Sequence, residues 1–278
     1  MMNRTIVALA IIGWCLTIES AARGQGADVQ RLLGSAAAYL DQYEQDVRSV
    51  VLQETYAQSV ASESRTRTLR SDLVVVADAT EGWIELRDVF EVDGKPVRDH
   101  TDRIVQLLSK PWPNQLVQAR RLANESARFN LNPVRAQFHR TINVPFTALR
   151  FLRRANQPRS AWRLEREERI GEQPAALLRF DEREQPRLIG SKDPMDVSGA
   201  FLIGANGAVL LTELRTTGRI SAVVTVRYAR HEATGLWLPE RMDERYRIKL
   251  GTFLTDVNGH ASYDNFRQFK VETSIKVK

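Results

Sequence analysis

The sequence is poor in the residues that build covalent and metal-bound scaffolds. Its 278 residues include one cysteine, Cys15, and four histidines. A disulfide framework, a thiolate zinc site and an iron–sulfur cluster each need several sulfur atoms, so all three are excluded. The composition, 43% apolar and 27% charged, is typical of a globular chain with a sizeable core. Intrinsic disorder, a collagen helix and a polytopic membrane fold are therefore excluded too.

The residues that commonly mark catalysis are scattered. The histidines stand far apart in sequence, at His100, His139, His231 and His260. The pair His231-Glu232 lacks the second histidine that a zinc-protease helix places four residues further on. No G-x-S-x-G element is present, and no glycine-rich loop precedes a helix. We therefore predict a non-catalytic protein without cofactor, and an enzyme acting on a lipid or cell-wall substrate is kept as an alternative.

The acidic residues of the second half of the chain give no metal-binding pattern. The set Asp181, Glu182, Glu184, Asp193 and Asp196 lacks the alternating ligands and central glycine of a calcium loop. A solvated edge is favoured, and no metal site is predicted. Asp88 differs, because it interrupts an apolar strand face. A buried carboxylate needs a partner, and we expect an arginine from a neighbouring strand.

The N-terminus has the three parts of a secretory leader. Met1 to Arg4 is basic, Thr5 to Ile18 is apolar, and Glu19 to Gly26 is small and polar. The apolar part has 14 residues, fewer than the ~20 of a membrane-spanning helix. We predict a signal peptide over 1–26, with cleavage after Ala22 as the alternative. The expected location is the periplasm, with secretion as the alternative.

Apolar periodicity then predicts one helix followed by strands. Between Asp28 and Val47 the apolar residues recur every three or four positions, which indicates an amphipathic helix. Period-two alternation predicts three strands, at Val50–Val60, Thr68–Ala77 and Trp83–Val92. A helical insert, 99–156, should follow, with Thr101 as an N-cap and helices at Asp99–Ser109, Asn114–Phe129 and near Pro145.

Strand patterns fill the remainder of the chain. The predicted strands are Ala161–Ile170, Ala175–Asp181, Ala200–Gly204, Ala208–Leu214, Arg219–Arg230, Leu236–Leu238, Glu244–Phe253 and Ala261–Val277. Asp93-Gly94, Asn206-Gly207 and Asn258-Gly259 are strong hairpin-turn signals, and Thr217-Gly218 and Thr234-Gly235 are weaker ones.

These elements predict an α+β fold. Many strands alternate charged with apolar residues, so one face of the sheet should meet water. The predicted fold is a curved antiparallel half-barrel of about ten strands, with the N-terminal helix and the helical insert in its concavity. The mature chain, 27–278, should form a single domain.

Several segments resemble the periplasmic lipoprotein-localisation superfamily of LolA-like and LolB-like carriers. They are Val51–Tyr56 after the first helix, Gly199–Ile203 with Asn206-Gly207 and Ala208–Leu210, and Val224–Tyr228 with Gly235–Pro239. Two more, Arg87–Gly94 and Ala261–Arg267, resemble an uncharacterised group of exported bacterial proteins related to that superfamily. The resemblance implies an unclosed barrel with a helical lid over an apolar cavity that binds acyl chains.

Two sets of candidate binding residues follow. Inward-facing strand residues should contact a lipid or a lipidated protein: Val76, Leu86, Phe90, Trp162, Leu178, Phe180, Phe201, Tyr228 and Tyr246. The segment Lys110–Arg159 holds ten basic residues and one acidic residue, a net charge of +9. We expect five of its arginines to contact an anionic membrane surface or an acidic protein: Arg120, Arg121, Arg150, Arg153 and Arg154. Equally, some could pair with acids of the sheet.

Two functions remain open at this point. The first is an exported carrier that holds a lipid or lipidated protein in an apolar cavity. The second is a structural or partner-binding envelope module that acts through its basic surface. Nucleic acid is set aside as a partner, because export separates the protein from it and no aromatic-basic motif accompanies the charge. An apolar pocket of roughly 300 Å³ or more favours the carrier, and a solid interior favours the module.

Overall fold

The computed structural model describes residues 12–48, 50–78, 82–97, 103–108, 114–136, 138, 140, 142–189 and 195–268. The helices are α1 (Ile12–Val47), α2 (Arg103–Leu108) and α3 (Asn114–Ala127). The first strands are β1 (Val50–Val60), β2 (Arg65–Asp78), β3 (Gly82–Val92), β4 (Lys95–Pro96), β5 (Ser160–Ile170) and β6 (Gln173–Glu182). The others are β7 (Asp196–Gly204), β8 (Val209–Thr217), β9 (Ile220–Arg230), β10 (Trp237–Leu250) and β11 (Phe253–Gln268).

All eleven strands belong to one antiparallel sheet. Their order is β4-β3-β2-β1-β11-β10-β9-β8-β7-β6-β5, so β4 and β5 form its two open edges. The prediction of a curved, unclosed antiparallel sheet with an N-terminal helix is confirmed. Because β4 and β5 are consecutive in the chain, the segment between them must run from one edge of the sheet to the other.

Helix α1 packs against what we call the inner face of the sheet. Its predicted apolar stripe is buried, from Val29 through Leu33, Leu40 and Tyr43 to Val47. The same core cluster contains inner-face residues of the strands from β1 to β11. One helix thus lies along the middle of a trough lined by strands. Among the described residues, no helix is both long enough and apolar enough to cross a membrane.

The predicted leader lies partly outside the described residues. Residues 1–11 are outside the described residues. Helix α1 extends back to Ile12, so its backbone includes part of the predicted signal peptide.

Helices α2 and α3 lie on the outer face, not in the concavity where the insert was predicted. They cover a second apolar cluster made by Val51, Val74, Val76 and Leu86. The physical reason is visible in the run Leu73-Val74-Val75-Val76. Successive side chains of a strand point to opposite faces, so consecutive apolar residues require cover on both faces.

The remainder of the insert crosses the inner face. We call residues 130–146 the strap; its residues 137, 139 and 141 lie outside the described part. The strap leads into a 3₁₀ helix, Thr147–Leu152, where the sequence predicted a third short helix. We call α1 and this 3₁₀ helix together the plug, because both are buried against the inner face.

One predicted hairpin turn is wrong. Asn258-Gly259 lies inside strand β11, and the β10–β11 turn is formed around Gly251, which has φ +60°. Gly259 is opposite Glu244, and a Cβ atom on it would lie 2.4 Å from Glu244 Oε1. The glycine therefore makes space for a buried carboxylate. The turns at Asp93-Gly94, Asn206-Gly207, Thr217-Gly218 and Thr234-Gly235 are formed as predicted.

The β7–β8 turn supports α1. Gly207 has φ +83°, a backbone conformation that L-residues with side chains rarely adopt. A Cβ atom there would lie 2.3 Å from the backbone oxygen of Ser35 in α1. Glycine is needed for both the turn and the close approach of the helix.

We expect Gly207→Ala to lower the free energy of unfolding by roughly 2–5 kcal/mol, from left-handed strain plus the clash with α1. Gly94→Ala is the matched control, because Gly94 has φ +76° but no atom within 4 Å of the added Cβ. Its free energy of unfolding should fall only by the cost of the left-handed strain, about 1–2 kcal/mol. Urea unfolding measures both values, and equal losses would contradict the close approach.

Candidate functional site

The inner trough is packed around the plug, and a groove of about 380 Å³ lies at its β5 edge, between α1 and β5. Two small gaps lie beside the plug, each of about 10 Å³. Tyr43 of α1 and Leu149 of the 3₁₀ helix line both gaps. In this state the plug, not a ligand-sized cavity, covers the apolar inner face beside these gaps.

Six of the nine predicted apolar contact residues lie on this inner face. Trp162, Phe180 and Phe201 form an aromatic cluster with Phe151 of the plug, with ring centroids 4.5–6.0 Å apart. Leu178 is buried in the same core. The two tyrosines contact the strap. The hydroxyl of Tyr228 donates to the Pro145 carbonyl at 2.5 Å, and the Tyr246 ring lies 5.7 Å from the Arg140 guanidinium.

The structure places the other three elsewhere. Val76 and Leu86 are buried on the outer face beneath α2 and α3. Phe90 lies at the β-bulge between β2 and β3, with the Arg70 guanidinium 5.5 Å from its ring centroid. The sequence could not assign these faces, because β2 is apolar on both sides and the bulge shifts the register of β3.

A buried ion pair links the strap to β1 and β3. The Arg87 guanidinium donates to both carboxylate oxygens of Glu54, and Ser71 donates to the same carboxylate at 3.1 Å. Arg87 also donates to the backbone oxygen of Asn143 in the strap, at 2.8 Å. Burial alone would lower the pKa of Arg87, but the adjacent Glu54 carboxylate raises it above its usual value. Arg87 therefore stays charged.

A second buried pair fixes the strap to β10. Arg140, whose side chain is fully buried, donates to Glu244 Oε1 and to the Tyr56 hydroxyl, both at 2.8 Å. It also donates to the Gln58 side chain and to the Leu131 carbonyl. Tyr56 in turn donates to Glu244. The sequence analysis missed this network. Its signal is that Glu54, Gln58 and Glu244 occupy inner-face positions between apolar residues.

We expect Arg140→Met to lower the free energy of unfolding by about 3–5 kcal/mol, because it leaves the Glu244 carboxylate buried without its counter-charge. The double variant Arg140→Met/Glu244→Gln should recover part of that loss, which a double-mutant cycle in urea measures. Arg128→Met, at an exposed arginine, should change stability by less than about 0.5 kcal/mol. Additive losses at Arg140 and Glu244 would contradict the coupling.

A cleft of about 980 Å³ lies between α1, α3, the strap and the segment that follows the plug. Four of the five predicted anion-contacting arginines line it: Arg120, Arg150, Arg153 and Arg154. Arg121 is exposed on α3 and is not part of the lining. We call this the arginine cleft.

Several cleft arginines also contact protein groups. Arg153 pairs with Glu44 at 3.1 Å and Arg154 pairs with Asp41 at 3.3 Å, both on α1. Arg150 donates to the backbone oxygen of Trp83 at 3.0 Å. The sequence left two roles open for the basic segment, an open arginine surface and pairing with acids. The structure shows both.

Glu85 anchors the start of the plug at the bottom of the cleft. Its carboxylate accepts from the Phe146 amide at 3.0 Å and from the Trp83 indole at 3.2 Å. Burial raises the pKa of Glu85, and the nearby Arg150 guanidinium opposes that rise. The carboxyl group is therefore easier to protonate than an exposed one.

The remaining predicted polar residues have ordinary partners. Asp88 pairs at 3.7 Å with an arginine of the helix that covers that face, Arg103 of α2, and the predicted arginine on a neighbouring strand stays a prediction. The acidic residues of the second half pair with arginines, in Glu182–Arg159, Glu184–Arg159, Asp181–Arg163 and Asp196–Arg187.

Asp193, His100, His139 and Thr101 lie outside the described residues. Among the described residues, no three His, Cys, Asp or Glu side chains form a group that could hold a metal ion.

No family model matches the chain, and no curated protein matches it in sequence. Three solved structures resemble it. A LolA superfamily protein from Nitrosomonas europaea has 12% identity and TM-score 0.36, covering 90% of this chain and 97% of its own. A DUF1329 family protein from Desulfovibrio piger has 11% identity and TM-score 0.39, covering 88% and 95%. A putative outer membrane lipoprotein-sorting protein domain from Vibrio parahaemolyticus has 11% identity and TM-score 0.38, covering 86% and 93%.

Independently of these likenesses, the strand order of the chain defines an open antiparallel sheet.

Proposed function

We propose that the protein is an exported, periplasmic, non-catalytic carrier that binds a lipid or the acyl chain of a lipidated protein in its trough. The observation that carries the proposal is that a plug of two helical segments, rather than further strands, covers the apolar inner face. Aromatic and aliphatic residues of β5 to β10 contact α1 and the 3₁₀ helix there. An acyl chain could replace those contacts with contacts of the same kind.

The energetics of such an exchange are close to balanced. Apolar burial contributes about 25 cal/mol per Å² whether the covering group is a leucine or an acyl chain. Polar contacts of the plug with its surroundings include the Arg150 side chain on the Trp83 carbonyl and the Gln157 side chain on the Leu33 carbonyl, both at 3.0 Å. A ligand would therefore compete mainly with apolar packing.

Leu149→Ala tests whether the trough is the binding site. Leu149 lines both gaps, so its truncation should join them and weaken the closed form by ~2–4 kcal/mol. We expect an NBD-labelled diacylglycerol, which is uncharged, to bind at least about thirtyfold more tightly, because a closed form weakened by ~2 kcal/mol competes that much less with the ligand. Fluorescence titration measures the affinity.

Leu122→Ala is the matched control. Leu122 is equally buried, but it lies in the outer cluster beneath α3. This variant should lose similar stability and leave the affinity for the probe unchanged. If both variants bind the probe equally, or if neither binds it, the trough is not a carrier site.

A second candidate function is a partner-binding envelope module, and the packed trough together with the arginine cleft favours it. An acidic protein segment would then occupy the cleft, and α1 would remain in place. The two candidates differ in one measurable respect, because the module predicts no uptake of the uncharged probe by Leu149→Ala.

A further inference from the structure

The arginine cleft is lined by both arginines and apolar residues. The arginines are Arg120 on α3, Arg150 in the 3₁₀ helix of the plug, and Arg153 and Arg154 just after that helix. The apolar residues, which we call the floor, include Ile84, Val144, Leu188 and Ile189. Such a lining suits an amphiphile that presents an anionic group and a short apolar stretch together.

The lining keeps a positive excess after its own acids are counted. Its described residues include four arginines and two carboxylates, Asp41 and Glu85, which leaves +2. A further carboxylate, Glu44, pairs with Arg153, and counting it leaves +1. The neutral lining residues Asn124, Thr147 and Asn156 add hydrogen-bonding groups. An anion would meet net attraction there, and a cation would not.

The floor connects the cleft to the trough. Ile189 belongs to the inner core cluster, and Val144 and Leu188 pack against that cluster from the cleft side. A ligand bound in the cleft therefore has its apolar end next to the plug.

We propose that the arginine cleft binds the phosphate-bearing headgroup of an anionic lipid. The inference rests on the proposed carrier function: the trough holds the acyl chain, and the cleft holds the headgroup of the same lipid. Arginine forks bind phosphate oxygens through paired, charge-assisted hydrogen bonds, and several arginines around one cleft match a group with several acceptor oxygens. The volume of about 980 Å³ accommodates a headgroup with its glycerol.

Arg120→Gln and Arg121→Gln form a matched pair for the test. The two arginines are consecutive on α3 and both are exposed, but Arg120 lines the cleft and Arg121 does not. Glutamine has nearly the same helix propensity as arginine, so both variants should fold.

Isothermal titration with dihexanoyl phosphatidic acid, below its micelle concentration, measures the binding. We expect Arg120→Gln to bind about fivefold more weakly than the unaltered protein, which corresponds to ~1 kcal/mol for one charge near an anionic group. Arg121→Gln should stay within about twofold. Dihexanoyl phosphatidylcholine, which has no net charge, should bind all three proteins weakly and equally.

Three results would overturn the proposal. They are an equal loss in both variants, equal affinity for the two lipids, and inorganic phosphate binding as tightly as phosphatidic acid. The third result would identify a site for free phosphate instead of a lipid headgroup.

The uncharged diacylglycerol probe separates this proposal from the carrier function. Loss of probe uptake together with a retained difference between Arg120→Gln and Arg121→Gln rejects the carrier and keeps the cleft site. Retained uptake without that difference rejects the cleft site alone.

Discussion

The structure depends on a buried guanidinium–carboxylate contact between Arg140 and Glu244. A charge this deeply buried is tolerated only when it is paired, so the strap has one place where Arg140 can lie. The strap belongs to the connection between β4 and β5, which are the two edges of the sheet. Holding its middle against β10 therefore holds the connection inside the trough. Arg87 and Glu54 do the same at β1 and β3, and they reach the strap through the Asn143 carbonyl.

The strap and the plug are held in place by different kinds of contact. The strap is positioned by directional, charged hydrogen bonds, which few alternative packings could satisfy. The plug is positioned mainly by apolar contacts, which many groups of suitable shape could supply. An acyl chain can therefore replace part of the plug without breaking the buried ion pairs. A trough that is packed without ligand is therefore compatible with a carrier. Either the plug or the acyl chain covers the apolar inner face, so that face is not exposed to water.

Local patterns predicted the elements well, and long-range contacts account for what they missed. The strand alternations of β1, β3, β5 and β9 depend on neighbouring residues, and they were assigned within one residue of their observed bounds. By contrast, β10 was predicted as two strands and β11 was predicted to begin at Ala261 instead of Phe253. Asn258-Gly259 has the local signature of a turn, yet Gly259 is glycine because Glu244, across the sheet, needs the space. In the same way, the outer-face position of α2 and α3 follows from the two apolar faces of β2. A charge-dense insert suggested an exposed surface, but the side chain of Arg140 from that insert is fully buried.

The arginine cleft and the plug meet at α1, and the strength of that connection can be bounded. Arg154 and Asp41 are both more than half exposed, so their ion pair contributes at most about 1 kcal/mol. The Arg153–Glu44 pair is less exposed, but burial raises the pKa of Glu44 against the effect of Arg153, so part of the attraction is offset. By contrast, α1 buries a stripe of apolar side chains along five turns. Each of these side chains stabilises the packed position by about 1.5–3 kcal/mol when it is fully removed from water. The position of the plug is thus decided by apolar packing in the trough, and the surface arginines only adjust it.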